Sequence, residues 1–289
     1  MQRRQLGNAE VSAIGLGGMQ MSIEGRPDDR TQSIGTIHAA LDAGVTLVDT
    51  ADAYHIHPGE VGHNETLIAE ALSTYGSDTS DVIVATKGGH LRPGNGSWTV
   101  DGSPRHVKAA CEASLKRLGA EAIGLYQFHR PDPKVAYEES IGALRDLLDE
   151  GKLRMAGISN ADPDQIRAAQ EVLGGRLAAV QNEYSPRFRS SQPELELCDE
   201  MGIAFLPWSP FGGASRSDSL GTRHSEFAAV AREHAVSPQR VTLAWMLAQS
   251  PVVIPIPGAS RPETIRDSAL AADLVLTADE VARLDAATS

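Results

Sequence analysis

Residues Val48 to Tyr54 read VDTADAY, and they end an apolar run in two carboxylates and a phenol: Asp49, Asp52 and Tyr54. Later apolar runs end in chemistry too, VIVATK in Lys87 and LYQFH in His129. Asp, Tyr, Lys and His brought to one pocket suit proton donation to a carbonyl oxygen. A free tyrosine titrates at about 10, which makes it a weak acid at neutral pH. A neighbouring ammonium favours the phenolate and lowers that value. On this reading Asp49 holds Lys87 charged and in place, and His129 hydrogen-bonds the carbonyl oxygen and orients it. None of the four is a good nucleophile or a hydride source, so the reducing equivalent must come from a cofactor. Asp52 reads as a turn residue.

These side chains need elements that bring them together. Eight short apolar runs read as strands: Ile14–Gly17, Thr46–Asp49, Val82–Thr86, Ile123–Phe128, Met155–Ser159, Ala178–Gln181, Ala204–Pro207 and Val252–Ile256. Helical patterns lie between them, such as Ile141-x-x-Leu144-x-x-Leu147-Leu148. Ser103-Pro104, Asp162-Pro163 and Ser237-Pro238 each set a capping side chain before a proline, and Thr277 with Glu280 makes a capping box. Strands alternating with helices predict a parallel sheet, either open and doubly wound or closed as a (β/α)8 barrel. Gly15-Leu16-Gly17-Gly18-Met19-Gln20 lacks the last glycine of a dinucleotide fingerprint, and the count of eight favours the barrel. With no linker-like tract, residues 1–289 are expected to form a single domain. Loops are expected at Arg92–Gly102 and Gly212–Thr222.

A barrel draws its site from the C-terminal ends of its strands. Besides Asp49, Tyr54, Lys87 and His129, those ends carry Ser159, Asn160, Gln181, Asn182, Trp208, Ser209, Gly258, Ser260 and Arg261. Closure aims them at one pocket, and their convergence says more than any single residue.

The formal charge of the 289 residues is −12, which argues against broad binding to nucleic acid or an anionic membrane. Cys111 and Cys198 form no C-x-x-C pair and fit a reducing compartment. No apolar run nears the ~20 residues that span a bilayer, and the N-terminus has no long apolar segment, so a cytoplasmic protein is expected. His55, His57, Glu60 and His63 crowd one stretch, with His90 further on, but they lack a zinc-site pattern, and no functional metal is expected. No G-x-S-x-G supports a serine hydrolase.

GLGGM, VDTADAY, Gly62-His63-Asn64-Glu65, VATK, FHRPD, GISN, VQNEYS, PWSPFGG and IPGAS together resemble the aldo-keto reductases along essentially the whole chain. The resemblance implies a (β/α)8 TIM barrel closed at the bottom by an N-terminal β-hairpin, here residues 2–14. It implies NADPH-dependent reduction of small-molecule carbonyl substrates by a catalytic tetrad of Asp49, Tyr54, Lys87 and His129; Asp49 stands five before Tyr54, as in the family. Ser159, Asn160 and Gln181 match residues that hold the nicotinamide amide, and Tyr184 an aromatic below or beside the ring. Ser209, Phe211 and Gly212 match the pyrophosphate loop. Gly258, Ser260, Arg261, Thr264, Asp267 and Ser268 fall in the 2′-phosphate segment, with Arg261 the chief anchor and Arg266 in reserve. Gly18, Met19 and Trp208 complete the candidate cofactor contacts.

Many members carry lysine and arginine where this chain has Gly258 and Thr264, so NADP is favoured and NAD stays open as a weaker alternative. Met19, His55, Trp98 and Trp208 are the candidate substrate wall. The motifs are most similar to bacterial branches, some of which act on pyridoxal. Many relatives are monomers, which suggests a monomer or weak oligomer. The alternative is a non-catalytic NADP-binding sensor or regulatory subunit. Such relatives often carry asparagine where His129 stands.

Overall fold

Alternating residues near the N-terminus pair as an antiparallel hairpin, β1 (Arg3–Leu6) with β2 (Ala9–Ser12), in a computed structural model that describes residues 1–213 and 224–288. Gly7 turns the hairpin at φ +53°, a conformation that suits glycine. The chain then alternates strand and helix. The strands are β3 (Leu16–Gly17), β4 (Leu47–Asp49) and β5 (Ile83–Gly88), a small ribbon of β6 (His90–Leu91) and β7 (Thr99–Val100), then β8 (Leu125–Phe128), β9 (Ala156–Ser159), β10 (Leu177–Gln181) and β11 (Ala204–Phe205). Seven of them form one parallel sheet in the order β11-β10-β9-β8-β5-β4-β3.

The eighth expected strand, Val252–Ile256, closes the ring without forming a regular ladder. Ile254 N donates to Phe205 O at 2.9 Å on one side, while Gly15 N and Gly17 N donate to Pro255 O and Pro257 O at 2.9 Å on the other. Pro255 and Pro257 have no N–H to return toward β3, so that seam carries half its bonds. Gly17 lets the seam close, because a Cβ there would meet Ile256 O at 2.8 Å. The result is a (β/α)8 barrel.

Side chains alternate along each strand, so residues two apart share the barrel interior. Leu47, Ala85, Leu125 and Ala179 form an apolar inner layer with Met155, and Leu6 and Val11 of the hairpin pack beneath it as a floor. Two residues further along the same strands stand Asp49, Lys87, Gln127 and Gln181. The interior thus turns polar at the end where the loops gather.

Outside, helices shield the sheet. Helix Tyr137–Asp149 buries Ile141, Leu144 and Leu147, as the spacing predicts. The expected caps form: Ser103 accepts from His106 N, Ser237 from Arg240 N, and Asp162–Gln165 and Thr277–Glu280 are capping boxes. Each is worth about 1 kcal/mol. The Arg92–Gly102 segment is mostly loop, as expected: residues 92–98 join β6 to β7, and only Thr99–Val100 are strand. Most of the expected Gly212–Thr222 loop lies outside the described residues. Among the described residues no helix is long and apolar enough to cross a membrane.

Candidate active site

β4 and β5 are paired in register, with Asp49 beside Ala85, which brings Asp49 and Lys87 to the same end of the barrel. Lys87 is fully buried there. Its ammonium donates to Asp49 Oδ2 at 2.7 Å, Thr50 O at 2.8 Å and Tyr54 Oη at 2.9 Å. An ammonium has three N–H groups, and all are used. The other carboxylate oxygen of Asp49 accepts from Gln181 Nε2 at 2.8 Å and, more weakly, Gln127 Nε2 at 3.4 Å. A buried ion pair costs several kcal/mol of desolvation, so this closed hydrogen-bond set is what makes it tolerable.

Burial disfavours the charge on Lys87, yet Asp49 and Tyr54 outweigh it and its pKa ends above the ordinary value. Tyr54 departs from the sequence-based expectation. Burial raises its pKa above the usual 10, and the attraction of Lys87 only offsets part of that rise. The phenol is therefore protonated at neutral pH. Since Lys87 donates to its oxygen, the phenolic hydrogen is left for another acceptor.

His129 meets the Tyr54 ring edge-on, with centroids 5.9 Å apart. Burial, and then the Lys87 charge, hold its pKa well below the usual 6.5, so the ring is neutral. Its Nδ1 is buried with no partner among the described residues. A buried lone pair left unmade costs less than a buried N–H left unmade. Placing the single proton of the neutral ring on Nε2 leaves a lone pair, not an N–H, unpaired at Nδ1 and makes Nε2 the donor.

Asp52 is buried too, and burial followed by repulsion from Glu65 pushes its carboxyl up to about 8. Glu65 is compensated by Arg117 Nε and Thr86 Oγ1, each at 2.5 Å. Asn64 ties Thr50 to the first loop, accepting from Thr50 Oγ1 at 2.7 Å and donating to Gly18 O at 2.8 Å. The Gly62-His63-Asn64-Glu65 segment thus braces the turn that carries Tyr54.

Asp49, Tyr54 and His129 open on a cavity of about 500 Å³, which runs outward to the start of helix Pro262–Ala269. Met19, Ser159, Asn160, Gln181, Trp208, Ser209 and Phe211 line it near the barrel mouth. Gly258, Ser260, Arg261, Thr264, Asp267 and Ser268 line its far reach, and Trp98 its rim. Asn160 and Ser209 hold positive φ, +57° and +51°. Asn tolerates this conformation, whereas for Ser it stores about 1 kcal/mol or more.

Several expected residues lie elsewhere. Tyr184 is not on the cavity wall. Its ring stacks on Trp245 at 5.9 Å and 7°, and its hydroxyl donates to Gln192 Oε1, because it follows β10 on the helix-facing side. His55 is also off the wall: its Nδ1 is engaged by His57 O at 2.8 Å. Gly18 and Gly212 sit just behind the lining, beside Met19 and Gly213. Arg266 borders a separate surface dimple with Asp42 and Asp273. Asp267 reaches the lining but is held by Arg240 at 2.5 Å. His63 bonds Ser22 Oγ at 2.8 Å, and among the described residues no group of three His, Cys, Asp or Glu is placed to hold a metal.

Other lining residues carry no such expectation from the sequence: Gln20, Arg130, Gln239 and Glu263, together with His90, which drew notice only among histidines of a possible metal site. Gln127 was passed over inside LYQFH. The signal was its spacing, two residues after Leu125 on an inward-facing register. Gly157 makes room for it, since a Cβ there would meet Gln127 Cγ at 2.9 Å.

The chain is 35% identical over 281 residues to a probable aldo-keto reductase of Glycine max, covering 87% of this chain and 78% of that protein. It is 32% identical over 284 residues to an uncharacterized oxidoreductase of Schizosaccharomyces pombe, covering 97% and 88%. A crystal structure of an aldo/keto reductase from Klebsiella pneumoniae in complex with NADP and acetate superposes with a TM-score of 0.82 at 27% identity, over 99% of this chain and 95% of that one. The aldo/keto reductase family pattern matches residues 13–289, which is nearly every element described above. From the closed barrel to the motifs at its strand ends, the chain belongs to the aldo/keto reductase family.

Proposed function

We propose that this chain reduces aldehydes or ketones to alcohols with NADPH, and that Tyr54 gives the proton to the carbonyl oxygen. One observation carries the reading. A charged Lys87, saturated by Asp49, Thr50 and Tyr54, donates to the oxygen of a protonated phenol at the cavity floor. That arrangement stabilises the phenolate left after the proton departs, so it lowers the barrier to giving the proton up. A neutral His129 with its proton on Nε2 donates to the same carbonyl oxygen and sets its orientation.

The lining fits a nicotinamide dinucleotide. Gln181 Oε1 and Asn160 Oδ1 accept no bond from any described residue, and they offer acceptors for a carboxamide NH₂. Trp208 Nε1 is buried without a partner among the described residues. Helix Pro262–Ala269 begins with no side-chain cap, and Arg261, 61% exposed, stands at its N-cap. A helix start with no side-chain cap, its positive dipole end beside a guanidinium, suits a 2′-phosphate dianion. The Klebsiella pneumoniae relative, solved with NADP, supports the same class of cofactor. When bound, the dinucleotide supplies hydride to the carbonyl carbon, and this chain's residues manage the proton.

The test is NADPH consumption by the purified protein on a small panel of aldehydes, including an activated benzaldehyde and pyridoxal. Tyr54→Phe is expected to lose at least about a hundredfold in kcat while still binding NADPH, followed by quenching of protein fluorescence. Turnover undiminished in Tyr54→Phe contradicts the proton-donor role. NADPH binding with no turnover of any carbonyl supports the sensor alternative instead.

A further inference from the structure

We propose that Arg130 anchors an anionic group of the substrate, so that this chain prefers carbonyl compounds bearing a carboxylate or a phosphate. The inference rests on the carbonyl-reductase reading above. Arg130 directly follows His129 at the end of β8 and lines the same cavity. Every other Asp, Glu, Lys or Arg on that lining has a counter-ion: Asp49 has Lys87, Asp267 has Arg240, and Arg261 and Glu263 face each other at 3.5 Å. Arg130 makes no hydrogen bond or ion pair with any described residue. Arg130 is exposed at the cavity's opening, where an incoming anion can reach it.

It adjoins His129, the proposed carbonyl contact, and shares the cavity lining with it. Burial chiefly disfavours the charged forms of His90 and His129, and the Arg130 charge adds to it; the two rings meet edge-on at 4.9 Å. His90 in turn stacks on Trp98 at 4.7 Å, so the wall next to Arg130 is aromatic. A carbonyl oxygen held by Tyr54 and His129 leaves the rest of the molecule along this wall. A carboxylate or phosphate on that part meets a planar fork of donors able to take two of its oxygens. The far reach of the cavity, where Arg261 lies, is assigned to the dinucleotide.

The experiment compares para-carboxybenzaldehyde, para-formylphenyl phosphate and the neutral methyl ester of the first, with NADPH, in the wild type, Arg130→Gln and Arg130→Lys. The readout is the ratio of kcat/KM for each anion to that for the ester. A change acting through His129 alters all three substrates alike and cancels in this ratio. The wild type is expected to favour an anionic aldehyde by roughly tenfold, the scale of one charge-assisted hydrogen bond. Arg130→Gln is expected to bring the ratio toward one through KM, Arg130→Lys to keep part of it, and added salt to weaken it. A larger ratio for the phosphate or for the carboxylate supports the proposal and says which anion is used. A wild-type ratio near one, or one unchanged in Arg130→Gln, overturns the proposal and leaves the reductase reading standing, because the ester is still reduced. Failure to reduce any of the three overturns the reductase reading and this proposal with it.

Discussion

Asp52 and Asp49 are three residues apart in one turn, yet their surroundings give them opposite tasks. Asp49 has an ammonium at 2.7 Å and two amides, and it serves as an anion. Asp52 has burial and the nearby Glu65, which together push its carboxyl up to about 8. A folded-state pKa above the unfolded one means stability that is full below the unfolded value and lost as pH rises to the folded one. The window here runs from 3.8 to about 8. Asp52→Asn keeps the shape and removes the titration. It is expected to be more stable than the wild type at about pH 8, with the gap shrinking toward pH 4, as read from thermal midpoints across pH. A gap independent of pH contradicts the assignment. VDTADAY alone did not show this: both carboxylates are buried, and what separates them is the charged neighbour, Lys87 for Asp49 and Glu65 for Asp52, which lies elsewhere in the chain. The same limit applies to Tyr54, whose pKa the sequence reading expected Lys87 to lower. The adjacent ammonium was legible, and the stronger effect of burial was not.

At the scale of elements, β5 carries Lys87 into the core, and the residue after it decides how closely a helix can approach. Gly88 faces Tyr126 and Ala110; a Cβ there would strike Tyr126 Oη, which is held by Val107 O at 3.1 Å. Gly88→Ala is expected to destabilise the fold by about 2 kcal/mol or more, the scale of overpacking in a tight core. The cost should fall when Tyr126→Phe removes the obstructing oxygen, a double-mutant cycle followed by urea denaturation. Equal costs in both backgrounds mean that the strain lies elsewhere. Helix starts were readable because their signals are local: a Ser or Asp before a proline caps a helix wherever the chain goes. The eighth strand was legible as an apolar run. Its broken ladder follows from Pro255 and Pro257, which lie where a strand would donate to β3.

For the whole molecule, cofactor binding and stability are one equilibrium. A ligand that binds only the folded chain adds about 2.7 kcal/mol at a hundred times its Kd. NADPH is therefore expected to raise the thermal midpoint more than NADH does at equal concentration. Arg261→Ala should erase most of that difference and leave the NADH shift nearly in place. Equal loss for both cofactors places the 2′-phosphate elsewhere.

By itself the sequence determined that eight apolar runs alternate with helices, that polar groups end almost every run, and that Asp49, Tyr54, Lys87 and His129 are spaced as in a known family of barrels. These are periodic or local properties, set by hydrophobic patterning and turn chemistry. Only the tertiary structure decided which polar residues face one another. Gln127 entered the Asp49 network by register. Tyr184 left the site for the helix layer. Arg130 came to face the cavity without a counter-ion among the described residues. The physical reason is that direction and burial depend on closing the barrel. One residue of register turns a side chain to the opposite face, and whether a charge is paired depends on neighbours dozens of residues away.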